Sequence, residues 1–386
     1  MVRRGEGPGA VRIAFGDFCG WDFHVGSVDC IPLGGAQSAA CHLARALVRE
    51  GHDVFLISKT TAPGQYDGVT CISWLRSDPA ALLRSLKLDV FVCILAAGNG
   101  AAMRQILGPG TSLILWNQHA HDQPGVQALS DARERAAYDG FAMVSNWQLD
   151  HYHRHFGINR WRMTIMRNAI APAFADLFSA QDSILDRKTV PPVLAYTSTP
   201  FRGLELLLDA FGDIRRAVSG VRLRVYSSMK VYHASPAEDE AAYGALYRRC
   251  RATEGIEYVG SLPQPALARE LRSVSVLAYP NIFPETSCIS VMEALAAGCR
   301  VVTSELGALP ETCAGFARLI PCGQSSAAYL EQFTAQTIQV LRELAGGGGG
   351  MELELQRQVA HMNDTAIWQV RSREWIRWFE QLALQR

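Results

Sequence analysis

Short, continuously apolar runs alternate along the chain with amphipathic stretches of helical period, a pattern that predicts an α/β protein. From Val11 the run VRIAF reads as a strand, followed by a glycine-bearing loop and a helix over about 35–50 with small apolar residues on one face. HDVFLIS reads as a second strand. DVFVCIL and TSLILWNQ are apolar without interruption over strand length, as parallel strands covered on both faces by helices require. FAMVSN repeats the pattern before a helix that begins near Trp147. The first half therefore predicts an open, alternating sheet of the mononucleotide-binding type.

Residues 171–190 mix proline, aspartate and serine with few periodic apolar positions and read as a linker. A second series follows: PPVLAYTS, VRLRVYSS, a charged helix near 238–254, IEYVGSL, VSVLAYP, and CRVVTSE after an alanine-rich helix. Two doubly wound domains are expected in tandem, the first over 1–175 and the second over 185–364. Five glycines at 346–350 predict a surface loop or helix break. The tail carries Trp368, Trp375, Trp378 and Phe379, most of them on one helical face. A core-packing helix accounts for them better than one lying on a membrane, and segment 365–386 is expected to return and cover the first domain.

The chain has 386 residues, nearly half of them apolar, enough for two cores. Lysine plus arginine equal aspartate plus glutamate at 37 each, which argues against a general electrostatic grip on nucleic acid. The ten cysteines lack paired metal-site spacing, and several, such as Cys93 and Cys299, lie in apolar runs, so buried free thiols are expected. The opening MVRRGEGPGA leads into too short an apolar run for a secretory leader, and no stretch reaches the roughly 20 apolar residues that cross a bilayer. A cytoplasmic protein is the expectation, with peripheral membrane contact left open.

The stretch FPETSCISVMEALAAGCRVV carries the most chemistry. A buried strand ends in a proline loop, a helix is expected to start near Thr286, and Glu285 stands at its mouth. Glu293 would lie roughly 12 Å further along the axis, at about 1.5 Å per residue. Two carboxylates so spaced suit a nucleotide sugar, whose sugar and ribose hydroxyls lie on either side of a diphosphate. The backbone amides of Thr286, Ser287, Cys288 and Ile289 would meet the anion between them. An isolated pair of glutamates more often caps a helix and faces water. Glu293, however, falls inside the apolar run VMEALAAG, where a charge is costly without a polar ligand or partner.

With Glu285, seven residues, Glu293 and then Ala-Leu-Ala-Ala-Gly, the chain resembles the retaining glycosyltransferases of family four over nearly its whole length. The resemblance implies the GT-B fold, two facing Rossmann-like domains with an interdomain cleft and the donor in the second. It implies that Glu285 contacts the transferred sugar and Glu293 the ribose of a nucleotide-sugar donor. In TSTPFRGLELLLDAF it puts Arg202 where the family has a lysine on the diphosphate. The family's second basic residue, five positions earlier, is Thr197 here, so Ser198, Thr199 and backbone amides would have to replace it. Gly34 and Gly35 of PLGGAQ correspond to the glycine-rich loop that approaches phosphate or acceptor. His119 and His121 in WNQHAHDQP are both candidates for the family's sugar- or acceptor-binding histidine. Asn168 in MRNAI matches a structural turn at the domain boundary, and Pro310 and Glu311 a turn that shapes the donor pocket.

On this resemblance a sugar passes to an acceptor hydroxyl, on a glycan, lipid or small molecule, with its anomeric configuration retained. The departing phosphate would accept the acceptor's proton while Arg202 and backbone amides stabilise the growing charge. The absence of an Asp-x-Asp triplet leads to the expectation of no metal, and no other cofactor is expected. Rival readings are a GT-B epimerase or phosphorylase, and a catalytically silent nucleotide-sugar sensor or scaffold, which Thr197 keeps alive.

Overall fold

A computed structural model describes residues 9–384 apart from 77, 96 and 180, so the opening segment on which the absence of a leader was read lies largely outside the described residues. The first sheet is built from β1 (Arg12–Asp17), β2 (Asp53–Ser58), β3 (Gly64–Tyr66), β4 (Val69–Ser73), β5 (Val90–Ile94), β6 (Ser112–Trp116), β7 (Gly140–Met143) and β8 (Met163–Ile165). Their spatial order is β3-β4-β2-β1-β5-β6-β7-β8, and every pairing is parallel except β3 with β4. The second sheet takes β9 (Val193–Tyr196), β10 (Arg222–Val225), β11 (Ile256–Tyr258), β12 (Val276–Tyr279), β13 (Arg300–Ser304) and β14 (Ala317–Ile320). It is parallel throughout, in the order β11-β10-β9-β12-β13-β14.

Strand order reverses between β1 and β5 in one sheet and between β9 and β12 in the other. In an open parallel sheet such a reversal leaves a crevice beyond the carboxyl ends of the two strands, because their helices leave on opposite faces. The segments that begin there are 18–34, 95–99, 197–203 and 280–288. Three of the four contain residues singled out from the sequence.

Apolar residues fill both faces of the first sheet and the core of the second. The helix Trp368–Leu384 belongs to the first core: Trp375 is fully buried, and its ring meets Trp116 edge-on with centroids 5.1 Å apart. The aromatic stripe of the tail is thus a packing face on the first sheet. The segment over 171–190 is more tightly held than a linker. Ile184 is buried against Leu355 and Val359, and the Glu352 carboxylate accepts from the Ile184 and Leu185 amides at 2.8 and 3.0 Å. The glycine run breaks a helix: Ser326–Gly346 ends there and Gly349–Thr365 begins, with Gly347 and Gly348 at positive φ. All ten cysteines are free thiols, and seven are buried. Among the described residues no helix is long and apolar enough to cross a membrane.

Candidate active site

The crevices of the two sheets face each other across a cleft of about 560 Å³. Its walls include Gly34, Gly35, His119, Thr197, Ser198, Thr199, Arg202, Glu285, Thr286, Ser287, Cys288, Ile289 and Glu293. The candidates from both halves of the chain are therefore brought together, with His121 the exception. The His121 ring packs outside the cleft with His151 and His155, centroids 4.9 and 5.1 Å away. The chain leaves its strand at Trp116, passes the cleft at His119, and by His121 has turned away over the surface.

The local geometry differs from the expected helix mouth. The helix starts at Ile289, not near Thr286, with Cys288 at its N-cap, and Glu285 lies in the loop before it. Asn281 shapes that loop by donating to the Phe283 carbonyl and accepting from its amide. The Ala308 amide then donates to the Glu285 carbonyl at 2.7 Å. Gly307, at φ +66°, permits this approach, since a Cβ there would sit 2.4 Å from the Glu285 carbonyl oxygen. The separation of Glu285 and Glu293 is therefore set by loop plus helix, and the helical rise of roughly 12 Å does not apply.

Glu285 is 5% exposed. Its Oε1 accepts from Arg202 Nη1 and from the Tyr279 hydroxyl, both at 2.6 Å, while among the described residues no hydrogen bond falls on Oε2. Arg202 ends a short 3-10 turn, Pro200–Arg202, rather than opening a helix, and its guanidinium lies 4.3 Å over the Phe283 ring. Gly203 lets this turn meet the opposite loop: at φ +124° its hydrogen points where a Cβ would be 2.1 Å from the Pro280 carbonyl oxygen. Burial opposes the charge on Arg202, but the Glu285 carboxylate outweighs it and holds the guanidinium well above its ordinary pKa. Burial and the Glu285 charge together keep Tyr279 a neutral phenol.

Glu293 is 3% exposed and has no cationic partner among the described residues. Its Oε1 accepts from Gln264 Nε2 at 2.6 Å and from the Ala171 amide at 3.3 Å. Burial pushes its pKa up to about 8, against the smaller opposing effect of those two bonds. Gln264 was not singled out from the sequence, where nothing marks a glutamine at a helix start. Its Oε1 meets His42 Nε2 at 2.9 Å, so one amide links a carboxyl of the second domain to a helix of the first. Burial lowers the His42 pKa to about 4; the ring is neutral and donates through Nε2. Replacing Gln264 with leucine strands His42 Nε2 and leaves Glu293 Oε1 only the longer bond from the Ala171 amide, and a loss of about 1–3 kcal/mol is expected in urea denaturation. An unchanged midpoint would show that the link adds nothing.

Several buried polar atoms on the cleft wall have no protein partner: Gln118 Nε2, His119 Nδ1, Thr197 Oγ1, Thr199 Oγ1 and Arg202 Nε. Native interiors rarely leave such groups unpaired, and all five belong to residues that line the cleft. His119 is held by its backbone, its amide donating to Asn117 Oδ1 and its carbonyl accepting from Gln148 and Tyr152. Burial, then the nearby Arg202 charge, lowers its pKa, so the ring enters the cleft neutral. Thr286 Oγ1 donates to the Gln118 carbonyl at 2.6 Å, another tie between the domains. Asn168 is fully buried and donates to Gln118 Oε1. Glu311 lies outside the cleft and accepts from the Asn146 and Trp147 amides at the start of the helix Asn146–Phe156. It joins the two halves of the chain instead of lining the cleft. Among the described residues no group of three or more His, Cys, Asp or Glu is placed to hold a metal ion.

Residues 191–341 match the family model of the glycosyl transferases group 1. A phosphatidyl-myo-inositol mannosyltransferase of Mycobacterium leprae (strain TN) is 29% identical over 130 residues, which span 33% of this chain and only 32% of that relative. Among solved structures, a glycosyltransferase from Rickettsia africae ESF-5 superposes with a TM-score of 0.70 at 11% identity, covering 96% of this chain and 98% of that one. HepE of Anabaena in complex with UDP-glucose gives 0.68 at 12% identity, covering 96% and 99%. The two facing parallel-sheet domains have the GT-B fold.

Proposed function

We propose, from the premise that the second domain belongs to the glycosyl transferases group 1, that the protein moves a sugar from a nucleotide-diphosphate sugar to an acceptor hydroxyl with retention of configuration. One observation carries the reading: two buried carboxylates line one cleft at the strand reversal, each held through a single oxygen, with a guanidinium beside one of them. Glu293 accepts the ribose hydroxyls and Glu285 the hydroxyls of the transferred sugar, each through its other oxygen, Oε2. Arg202, with the amides of 286–289, meets the diphosphate. As the bond from sugar to phosphate breaks, negative charge builds on the departing phosphate, and donors already in place stabilise it without reorganising. That phosphate takes the proton of the attacking hydroxyl on the same face, so neither carboxylate serves as the base. His119, neutral and on the cleft wall, orients a hydroxyl of the sugar or acceptor. No step is assigned to a metal, since Arg202 and backbone amides supply the positive end. A glycan or lipid-linked acceptor fits a cleft open to solvent.

Thermal denaturation with UDP, GDP, ADP and their sugars tests the reading. Ligand at about 100 times its Kd stabilises the folded state by about 2.7 kcal/mol, an easily measured rise in Tm. No rise with any nucleotide would sink the donor site. A rise without release of nucleoside diphosphate in the presence of acceptors would favour the sensor reading that Thr197 suggests.

A further inference from the structure

The proposed donor brings at least two negative charges, yet Arg202 is the one lysine or arginine among the described residues lining the cleft. Half of its fork is already engaged by Glu285. Thr197 offers only a hydroxyl where a second cation is expected. Beyond Arg202 and the amides of 286–289, the short turn Met229–Tyr232 brings one more donor to the cleft.

Ser228 caps this turn, and His233, at φ +58°, ends it. The turn lies against the first domain: a Cβ on Gly34 would come within 3.3 Å of the Val231 carbonyl oxygen. The Tyr232 ring packs against Trp21 with centroids 5.9 Å apart, and Trp21 also stacks on His233. The phenol is thus fixed where the Gly34–Gly35 loop, Arg202 and the second domain converge. Its oxygen accepts from Arg202 Nη2 at 2.9 Å, and among the described residues no protein atom accepts its proton. A phenol that receives a hydrogen bond from a cation becomes a stronger donor itself.

We propose that the Tyr232 hydroxyl donates a hydrogen bond to the sugar-bearing phosphate of the donor, completing with Arg202 a clamp of one cation and one phenol. Burial, the largest influence, keeps the phenol protonated and able to donate. No proton is transferred in this step; the bond shortens as charge accumulates on the departing phosphate. The inference rests on the donor reading above.

Two measurements test it. Tyr232→Phe keeps the ring against Trp21 and should weaken nucleoside diphosphate binding about tenfold or more, as expected for one lost hydrogen bond to a charged group. Nucleoside monophosphate affinity, read by the same calorimetry, should change less than about twofold. Equal weakening of both ligands, or of neither, overturns the assignment. The second variant carries 3,5-difluorotyrosine at position 232, studied below the pH at which that phenol ionises. Fluorine strengthens the phenol as a donor and weakens it as an acceptor. Tighter diphosphate binding supports direct donation, whereas weaker binding means that the hydroxyl only positions Arg202. Wild-type protein that binds neither nucleotide sinks the donor reading and this proposal with it; firm wild-type binding with an unchanged Tyr232→Phe sinks the assignment of Tyr232 alone.

Discussion

The substitution Glu285→Gln is expected to lower sugar transfer by a factor of about a hundred to a thousand, while nucleoside diphosphate affinity stays level or improves. Glu285 Oε1 is the shared acceptor for Arg202 and Tyr279. An incoming diphosphate offers Arg202 a second anion, and each bond that Arg202 makes to it frees Glu285 for the sugar. The amide of the variant still accepts hydrogen bonds but no longer holds the guanidinium by charge, so the cation is released to the diphosphate at lower cost. What the amide lacks is the negative charge that faces the sugar as positive character develops at the anomeric carbon. Loss of one such preorganised electrostatic contact is commonly worth two to three orders of magnitude, about 3–4 kcal/mol. Alanine is the less informative choice. It leaves Arg202 largely buried without a counter-ion, a defect of about 3–5 kcal/mol in stability that would mix folding with chemistry. Release of nucleoside diphosphate with saturating donor, beside calorimetric affinity, separates the two effects. Wild-type turnover in Glu285→Gln would remove the central assignment.

Both sheets were legible in the chain because parallel strands covered on two faces need apolar runs, and such runs mark most of the strands. The β3–β4 hairpin was missed although Asp67-Gly68, both at positive φ, marks its turn; β3 is three residues long and largely exposed, and β4 interleaves threonine and serine with its apolar residues, so no apolar run announces them. β8 and β14 sit at sheet edges and carry the same weak signal. The carboxylates were legible for opposite reasons, Glu293 because its charge conflicts with its neighbours, Glu285 because it stands beside a proline at a strand end. Their coupling was not. That Glu285 pairs with Arg202, 83 residues away, follows from β9 and β12 being neighbours at the reversal, a fact of topology invisible to spacing. Gln264 and Tyr232 were hidden for a related cause: each acts through a contact made by the fold, His42 with Glu293 for one and Trp21 with Arg202 for the other. The choice between His119 and His121 depended on where the chain turns after Trp116, which no local pattern reports.

Glu293 should impose two opposite pH trends on the protein. Its pKa rises from an ordinary 4.5 to about 8 in the folded state, chiefly through burial. Between those values the folded chain keeps a proton that the unfolded chain has lost. The corresponding stability is fully present below the lower value and is lost as pH climbs through the upper one, by an amount on the order of a few kcal/mol. Binding runs the other way. Two ribose hydroxyls both donating to this carboxyl favour the ionised form, so nucleotide must displace the proton wherever it is present. Below about pH 8 the apparent affinity should therefore tighten about tenfold per unit rise in pH, then level off, with close to one proton released per nucleotide bound in the acidic range. Glu293→Gln tests both halves at once. Its side-chain oxygen still accepts from Gln264, but it cannot ionise, so the loss of stability towards alkaline pH should disappear from urea denaturation curves. Nucleotide affinity should become weak and flat with pH. A wild-type affinity that does not vary across this range would mean that the ribose is bound elsewhere, and the stability slope would then remain as a property of the buried carboxyl alone.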